Sequence, residues 1–269
     1  MIIPLSEGSM NRVFPKKKLG QHFLKDNAVA GRIVNSLTGI GYSSVLEIGP
    51  GTGMLTRHLV NRKFDDFRVI EIDNEAVHHL RGNFPDLKEI IRGDFLKMDI
   101  DATFTGNLAI IGNFPYNVSS QIMFKVLRHK DKIQEVCGMF QKEVAERICS
   151  SPGSKTYGIL SVLLQAYYNA EYLFSVPGNL FIPPPKVKSG VVRLRRNEVI
   201  SLGCDEKLFF SVVKATFGTR RKILRNSVRS AFNTGNEEFE NQGSRPEELS
   251  VGQFVALTNW IKVNMKLTE

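Results

Sequence analysis

Four short segments of the chain hold residue types and spacings that chemistry requires. Residues 45–53, VLEIGPGTG, run from an apolar strand into Gly49, Gly51 and Gly53, with a helix expected over 54–62. Glycine lets the backbone turn sharply and approach a ligand at contact distance. The dinucleotide fingerprint G-x-G-x-x-G would need its third glycine where the chain has Met54, and no lysine follows as a phosphate-binding P-loop requires. A Gly-rich turn without that apparatus suits a nucleoside that carries no phosphates; a merely tight strand-to-helix turn is the alternative. In VIEID (69–73), Glu71 stands about 20 residues beyond the glycines, where an acid can accept both hydroxyls of a ribose. A solvated acid at a strand end is the bland alternative there, and Asp73 beside it reads as a helix cap. Asp94 in RGDFLKMD (92–99) is positioned to accept from an adenine amino group, although on its own it reads better as a turn-forming Asp after Gly93.

The fourth segment, IIGNFPYNVSS (110–120), places Asn113, Pro115 and Tyr116 directly after a buried strand, at the edge where open α/β sheets bind ligands. Chemistry on a planar exocyclic amine needs no strong base at the outset, because the nitrogen lone pair is delocalised into the ring. It needs acceptors that hold the two amine hydrogens and present the nitrogen to an electrophile. The Asn113 side-chain oxygen and the Pro115 carbonyl are such acceptors, with proline fixing the turn. Tyr116 supplies a ring on which a base can stack. A rigid Pro-Tyr turn packed on the core is the structural alternative.

These segments need a scaffold that brings strand ends together. Short apolar runs at 44–48, 67–72, 87–93, 107–112 and 136–140 alternate with helical patterns at 26–40, 54–62, 74–83, 118–130 and 141–150. That alternation predicts a parallel, doubly wound sheet buried on both faces. A helical run at 158–168 and strands at 171–176 and 191–196 complete about seven strands, with 176–190 expected as rigid loop because of its successive prolines. Beyond Asn197 the pattern is helical only, at 205–217, 219–232 and 250–264. The expected division is a flexible leader at 1–15, a sheet domain at 16–198 and a helical domain at 199–269.

The chain has 269 residues, 42% hydrophobic and 23% charged, which excludes disorder and leaves room for a full core without staples. Its 36 basic and 27 acidic residues give a net charge of +9, favouring a polyanionic partner, nucleic acid before an anionic membrane surface. Cys137, Cys149 and Cys204 are odd in number and far apart, so no disulfide framework is expected. The other histidines, His58, His78, His79 and His129, have no metal-ligand spacing, and no metal is expected. No apolar run approaches the length of a membrane span, and the first ten residues have the wrong order for a signal peptide. These features predict a soluble, cytoplasmic protein. Residues 214–229 carry Lys214, Arg220, Arg221, Lys222, Arg225 and Arg229 without an acid. On a helix, Arg221, Arg225 and Arg229 would share one face as a phosphate-binding stripe. Lys186, Lys188, Arg193, Arg195 and Arg196 form a second basic patch. An ordinary solvated face is the alternative for both.

In this order, EIGPGTG, VIEID, GDF and NFPY resemble the cofactor and catalytic motifs of S-adenosylmethionine-dependent adenine methyltransferases. With KKKLGQHFLKD (16–26), FIPPPKVKSGVVRL (181–194) and ATFGTRRKILRNS (215–227), the chain resembles the KsgA-type small-subunit (16S) ribosomal RNA adenine N6-dimethyltransferases over nearly its whole length. The resemblance implies a seven-stranded, Rossmann-like class I methyltransferase sheet with a small all-helical C-terminal domain. It implies dimethylation of two adjacent adenosines near the 3′ end of the small-subunit RNA, within a pre-30S-type particle, by a monomer. By the same resemblance, His22, Leu24, Gly49, Gly51, Glu71, Asp94 and Asn113 contact S-adenosylmethionine. Tyr116 and Phe181 would sandwich a flipped adenine, and Arg220, Arg221, Lys222 and Arg225 would hold RNA. The chain departs from the family with His22, where many members carry Asn, and with Phe114 in place of the commoner Leu. A large-subunit, resistance-type adenine methyltransferase, a non-catalytic assembly factor and a nicotinamide dehydrogenase are the competing functions. Met54 argues against the last.

Overall fold

The computed structural model describes residues 13–62 and 64–265. Of the leader expected over 1–15, residues 1–12 lie outside them. In chain order the elements are β1 (Phe23–Leu24), α1 (Asn27–Asn35), β2 (Ser44–Ile48), α2 (Thr56–Leu59), β3 (Asp66–Glu71), α3 (Asn74–Asn83), β4 (Glu89–Arg92), α4 (Ile100–Thr103), β5 (Leu108–Asn113), α5 (Ser119–Arg128) and β6 (Ile133–Gln141). There follow α6 (Lys142–Cys149), α7 (Ile159–Gln165), β7 (Tyr168–Val176), β8 (Phe181–Ile182), β9 (Ser189–Arg196), α8 (Glu206–Gly218), α9 (Leu224–Ala231) and α10 (Val251–Asn264).

Seven strands form one sheet in the order β4-β3-β2-β5-β6-β9-β7. The five strands from β4 to β6 are parallel, as the strand–helix alternation predicts. At the other edge β9, for which the sequence pattern gives no direction, runs antiparallel to both β6 and β7. The cause lies in the connection: β7 returns to β9 through residues 177–188 without a crossover helix, and a parallel pair needs one. All five residues of β2 are buried, and alternate positions feed opposite faces. Leu46, Ile48 and Ile110 join the core beneath α5 and α7, whereas Val45, Ala109 and Ile111 join the core beneath α1.

Two sequence expectations change within the site region. The helix expected over 54–62 shrinks to α2, because Gly51 and Gly53 adopt φ of 55° and 78° and Gly53 N–H closes a turn on the Pro50 carbonyl at 2.8 Å. The loop expected over 176–190 contains β8, which pairs with β1 to form a separate two-stranded ribbon. At the C-terminal side, Arg196 anchors the end of the sheet by donating to the carbonyls of Lys130, Tyr167 and Val199. Helices α8 to α10 then pack Phe209, Val213, Leu224, Val228, Phe254 and Ile261 into the same hydrophobic cluster as the sheet face. The turn at Lys222, whose N–H meets the Thr219 carbonyl at 2.8 Å, delays α9 until Leu224. Arg221 therefore lies outside the helix, and the three-arginine helical stripe is corrected to a turn-plus-helix cluster. Among the described residues no helix is long and apolar enough to cross a membrane.

Candidate functional site

The parallel strands β2, β3, β4 and β5 deliver their C-terminal ends to a single open cleft, and the segment 18–23 closes one side of it. It sits where the chain's connections diverge on either side of β2 and β5, the usual ligand position of an open α/β sheet. At the end of β2, Gly49 has φ 65° and donates to the Ile70 carbonyl at 2.9 Å. No atom lies within 4 Å of where its Cβ would stand, leaving an open floor. Gly51 is constrained from the other side: a Cβ there would fall 2.7 Å from the Phe23 ring.

Glu71, 3% exposed, ends β3 facing the cleft. Its Oε2 accepts from Gly51 N–H at 3.0 Å and its Oε1 from Asp73 N–H at 2.9 Å. Burial pushes the carboxyl above its ordinary range, against the opposing pull of these two donors. A carboxylate oxygen takes more than one hydrogen bond, so both retain acceptor capacity toward the cleft. Asp94 follows β4 and lines the same cleft; its Oδ1 accepts from Leu96 N–H at 2.9 Å.

Asn113 ends β5. Its Nδ2 donates to the His22 carbonyl at 2.7 Å, which fixes the amide orientation and leaves Oδ1 as the free acceptor. The Pro115 carbonyl accepts from Val118 N–H at 3.2 Å and keeps a second lone pair. The Tyr116 hydroxyl pairs with Ser189 Oγ at 2.5 Å, holding the ring in place. Phe114, 1% exposed, fits beneath the site because β5 and β6 carry glycines under it: a Cβ at Gly138 would meet its ring at 2.6 Å. The larger residue is thus accommodated within the core.

Leu24 and Phe181 do not line the cleft. They pair across the β1–β8 ribbon and are 3% and 1% exposed within the core. The ring against Tyr116 is His22, stacked with centroids 5.4 Å apart and an interplanar angle of 27°. His22 Nδ1 lies 2.7 Å from the Pro183 carbonyl, and since a carbonyl only accepts, Nδ1 carries the proton. The ribbon has no periodic signal in the sequence, being two residues long on each side.

Asp73 does more than cap α3. Besides accepting from Glu75 N–H at 3.1 Å, it receives Lys16 Nζ at 2.5 Å and Gln21 Nε2 at 3.3 Å. Burial disfavours its ionisation, but the Lys16 ammonium and these donors hold it below the usual carboxylate range. This anchor straps residues 16–23 over the cleft.

Glu47, two residues before Gly49 in β2, is buried with its carboxyl group accepting from Thr56 Oγ1 at 2.7 Å. Desolvation, reinforced by the nearby Glu71 charge, pushes its pKa up to about 8. A raised folded-state value means stability that is complete below pH 4.5 and is lost as pH rises toward 8. The melting temperature of the native chain is therefore expected to fall relative to Glu47→Gln between pH 5 and pH 9. Parallel melting profiles for the two proteins would contradict this.

Of the basic residues over 214–229, Lys214, Arg221, Lys222, Arg225 and Arg229 are exposed, and Arg229 donates to the Asn236 carbonyl at 2.9 Å. Arg220 is engaged internally, donating to the Lys155 carbonyl at 2.8 Å and standing 3.5 Å from Glu247. In the second patch Arg193 and Arg195 pair with Glu171 at 2.6 and 3.1 Å and Arg196 is the anchor described above, whereas Lys186 and Lys188 are exposed. Among the described residues no cluster of three or more His, Cys, Asp or Glu is arranged to hold a metal.

The family model for ribosomal RNA adenine dimethylase matches residues 14–263. The chain is 55% identical over 259 residues to the ribosomal RNA small subunit methyltransferase A of Flavobacterium johnsoniae, covering 95% of this chain and 98% of that one. It is 54% identical over 252 residues to the protein of the same name from Parabacteroides distasonis, covering 93% and 94%. Among solved structures, a dimethyladenosine transferase from Plasmodium falciparum superposes with a TM-score of 0.76 at 24% identity, covering 91% of this chain and 99% of that one. The 23S rRNA methyltransferase ErmE superposes with a TM-score of 0.67 at 24% identity, covering 89% and 99%. These two structures speak to the fold alone, a Rossmann-like class I methyltransferase sheet.

Proposed function

The chain belongs to the ribosomal RNA adenine dimethylase family, and we propose that it dimethylates the N6 amines of two adjacent adenosines near the 3′ end of small-subunit ribosomal RNA. It is an S-adenosylmethionine-dependent enzyme acting on ribosomal RNA. When bound, that cofactor supplies an electrophilic methyl group on a sulfonium. The residues of the cleft suit it: an open glycine floor at Gly49, a buried carboxylate at Glu71 for ribose hydroxyls and Asp94 for an adenine amine. No pyrophosphate-binding apparatus is needed for such a ligand.

The observation that carries this reading is the state of Asn113. Its donor end is tied to His22, and its acceptor end is free beside the Pro115 carbonyl and the Tyr116 ring. An acceptor pair next to an aromatic platform holds an exocyclic amine by its two hydrogens and orients the nitrogen lone pair. The target base reaches this point only after leaving its stack. We assign the base platform to Tyr116, with Phe181 as the second ring by the family resemblance, and His22 stacks beside Tyr116. The exposed Arg221, Lys222 and Arg225 are assigned to RNA phosphates, within a helical RNA-binding part at 199–269. A cytoplasmic monomer acting on a pre-30S-type particle completes the proposal.

Small-subunit specificity draws its support from the relatives at 55% and 54% identity, both named for the small subunit. The test is incubation with radiolabelled S-adenosylmethionine and immature small subunits lacking the modification, with large subunits in parallel. Label is expected on adjacent adenines near the small-subunit 3′ end. Label on the large subunit would transfer the assignment to a resistance-type enzyme, and tight subunit binding without label would favour an assembly factor.

A further inference from the structure

Lys125 is a charged residue buried where the amphipathic pattern of its helix gives no reason for a charge. It lies on α5 among Ile122, Met123, Val126 and Leu127 and is 5% exposed. Its ammonium donates to three backbone carbonyls of one loop: Phe95 at 2.7 Å, Leu96 at 3.2 Å, and Met98. An ammonium has three N–H bonds, so the whole donor set is spent on these three carbonyls. The charge also stands 5.1 Å from the centroid of the Phe95 ring. Burial lowers the lysine pKa, with Arg128 adding to the effect and Asp94 and Asp99 opposing it. Such a burial is costly unless every donor is used, and here all three are used on backbone carbonyls.

That loop begins at Asp94. The Asp94 carbonyl accepts from Lys97 and Met98 N–H at 3.0 and 3.1 Å, and its carboxylate accepts from Leu96 N–H. Upstream, Gly93 N–H donates to the Glu71 carbonyl at 2.9 Å. Residues 93–96 line the cleft, and α5 starts three residues after Tyr116. Lys125 is therefore a bolt between the loop at one end of the cleft and the helix that follows the Asn113–Tyr116 segment at the other.

We propose that Lys125 is a positioning residue: by clamping the Phe95, Leu96 and Met98 carbonyls it holds the Asp94 carboxylate where it distinguishes an amine from an oxo group on the cofactor's purine. This rests on the assignment of Asp94 to the cofactor adenine. A carboxylate accepts from an amine and repels a carbonyl oxygen, so selectivity depends on how firmly it is aimed.

The experiment measures binding of S-adenosylhomocysteine and S-inosylhomocysteine by calorimetry to the full chain and to Lys125→Met and Asp94→Ala. Because the two ligands are compared on one protein, a general loss of stability cancels from their ratio. The native chain is expected to prefer the adenosyl compound by at least about tenfold. Lys125→Met is expected to narrow that preference about fivefold or more, chiefly through weaker adenosyl binding. Should Lys125→Met fail to fold, Lys125→Gln keeps two N–H donors and is expected to narrow the preference to a smaller extent. An unchanged ratio in the lysine variant beside a collapsed ratio in Asp94→Ala overturns the role of Lys125 and leaves Asp94 assigned. An unchanged ratio in Asp94→Ala overturns the assignment of Asp94 itself, and the proposal with it.

Discussion

Replacing Asn113 by alanine is expected to lower methyl transfer by about 10³-fold or more while the chain still folds and still binds S-adenosylmethionine. Removing one preorganised group that stabilises developing charge costs about 10²–10³ in rate, and here a second effect adds to it. The Asn113 amide holds the His22 carbonyl at 2.7 Å, and His22 is the ring stacked against Tyr116. Alanine therefore removes the acceptor for the target amine and releases the ring beside the base platform. Aspartate separates the two effects: it restores an acceptor but cannot donate to His22, so Asn113→Asp is expected to recover only part of the lost rate. Single-turnover kinetics with saturating cofactor measures this. Activity of Asn113→Ala within tenfold of the native chain would contradict the assignment of Asn113 to the reacting amine.

Much of the site was legible because its residues end strands, and strands announce themselves. The apolar run at 44–48 and the capped helix at 74–83 coincide with β2 and α3 residue for residue. Once β2 and β3 are aligned, Gly49 and Glu71 must meet at the same sheet edge, and the Gly51–Glu71 hydrogen bond is the physical form of their spacing. What the sequence does not carry is side-chain direction outside regular elements. Phe181 lies in a proline-rich stretch with no period, and only its pairing with Leu24 turns it into the core. Arg193 and Arg195 look available as charges until β7 and β9 pair and bring Glu171 between them. Lys125 is the extreme case: a lysine at a helical position reads as solvated, and its burial arises because a distant loop offers three carbonyls. The strand at β9 is legible but its antiparallel direction is not, since direction depends on how the chain returns and not on the strand's own residues.

The other large effect expected is at Glu71, where substitution by glutamine should weaken S-adenosylmethionine binding by about 100-fold or more. The change is nearly isosteric, so packing around this 3%-exposed side chain survives. Its hydrogen bonding does not. Both carboxylate oxygens face backbone donors, Gly51 N–H on one side and Asp73 N–H on the other. A glutamine amide must set its own NH₂ against one of them whichever way it flips, leaving a buried donor without a partner at a cost of about 1–3 kcal/mol. The charge that strengthens two ribose hydroxyl contacts is lost at the same time, and hydrogen bonds to a charged group are worth about 1.5–3 kcal/mol each. A loss of 2.7 kcal/mol is already about 100-fold in affinity. Displacement of Gly51 adds to this, because the same N–H bond holds the glycine turn against Phe23. Arg221, Lys222 and Arg225 take no part in this network, so RNA binding through them is expected to stay within threefold of native. Calorimetric titration with cofactor and a filter assay with small-subunit RNA make the comparison. Cofactor affinity within threefold of the native chain would remove Glu71 from the cofactor site. A parallel fall in RNA affinity would show that the cleft and the basic cluster are not independent.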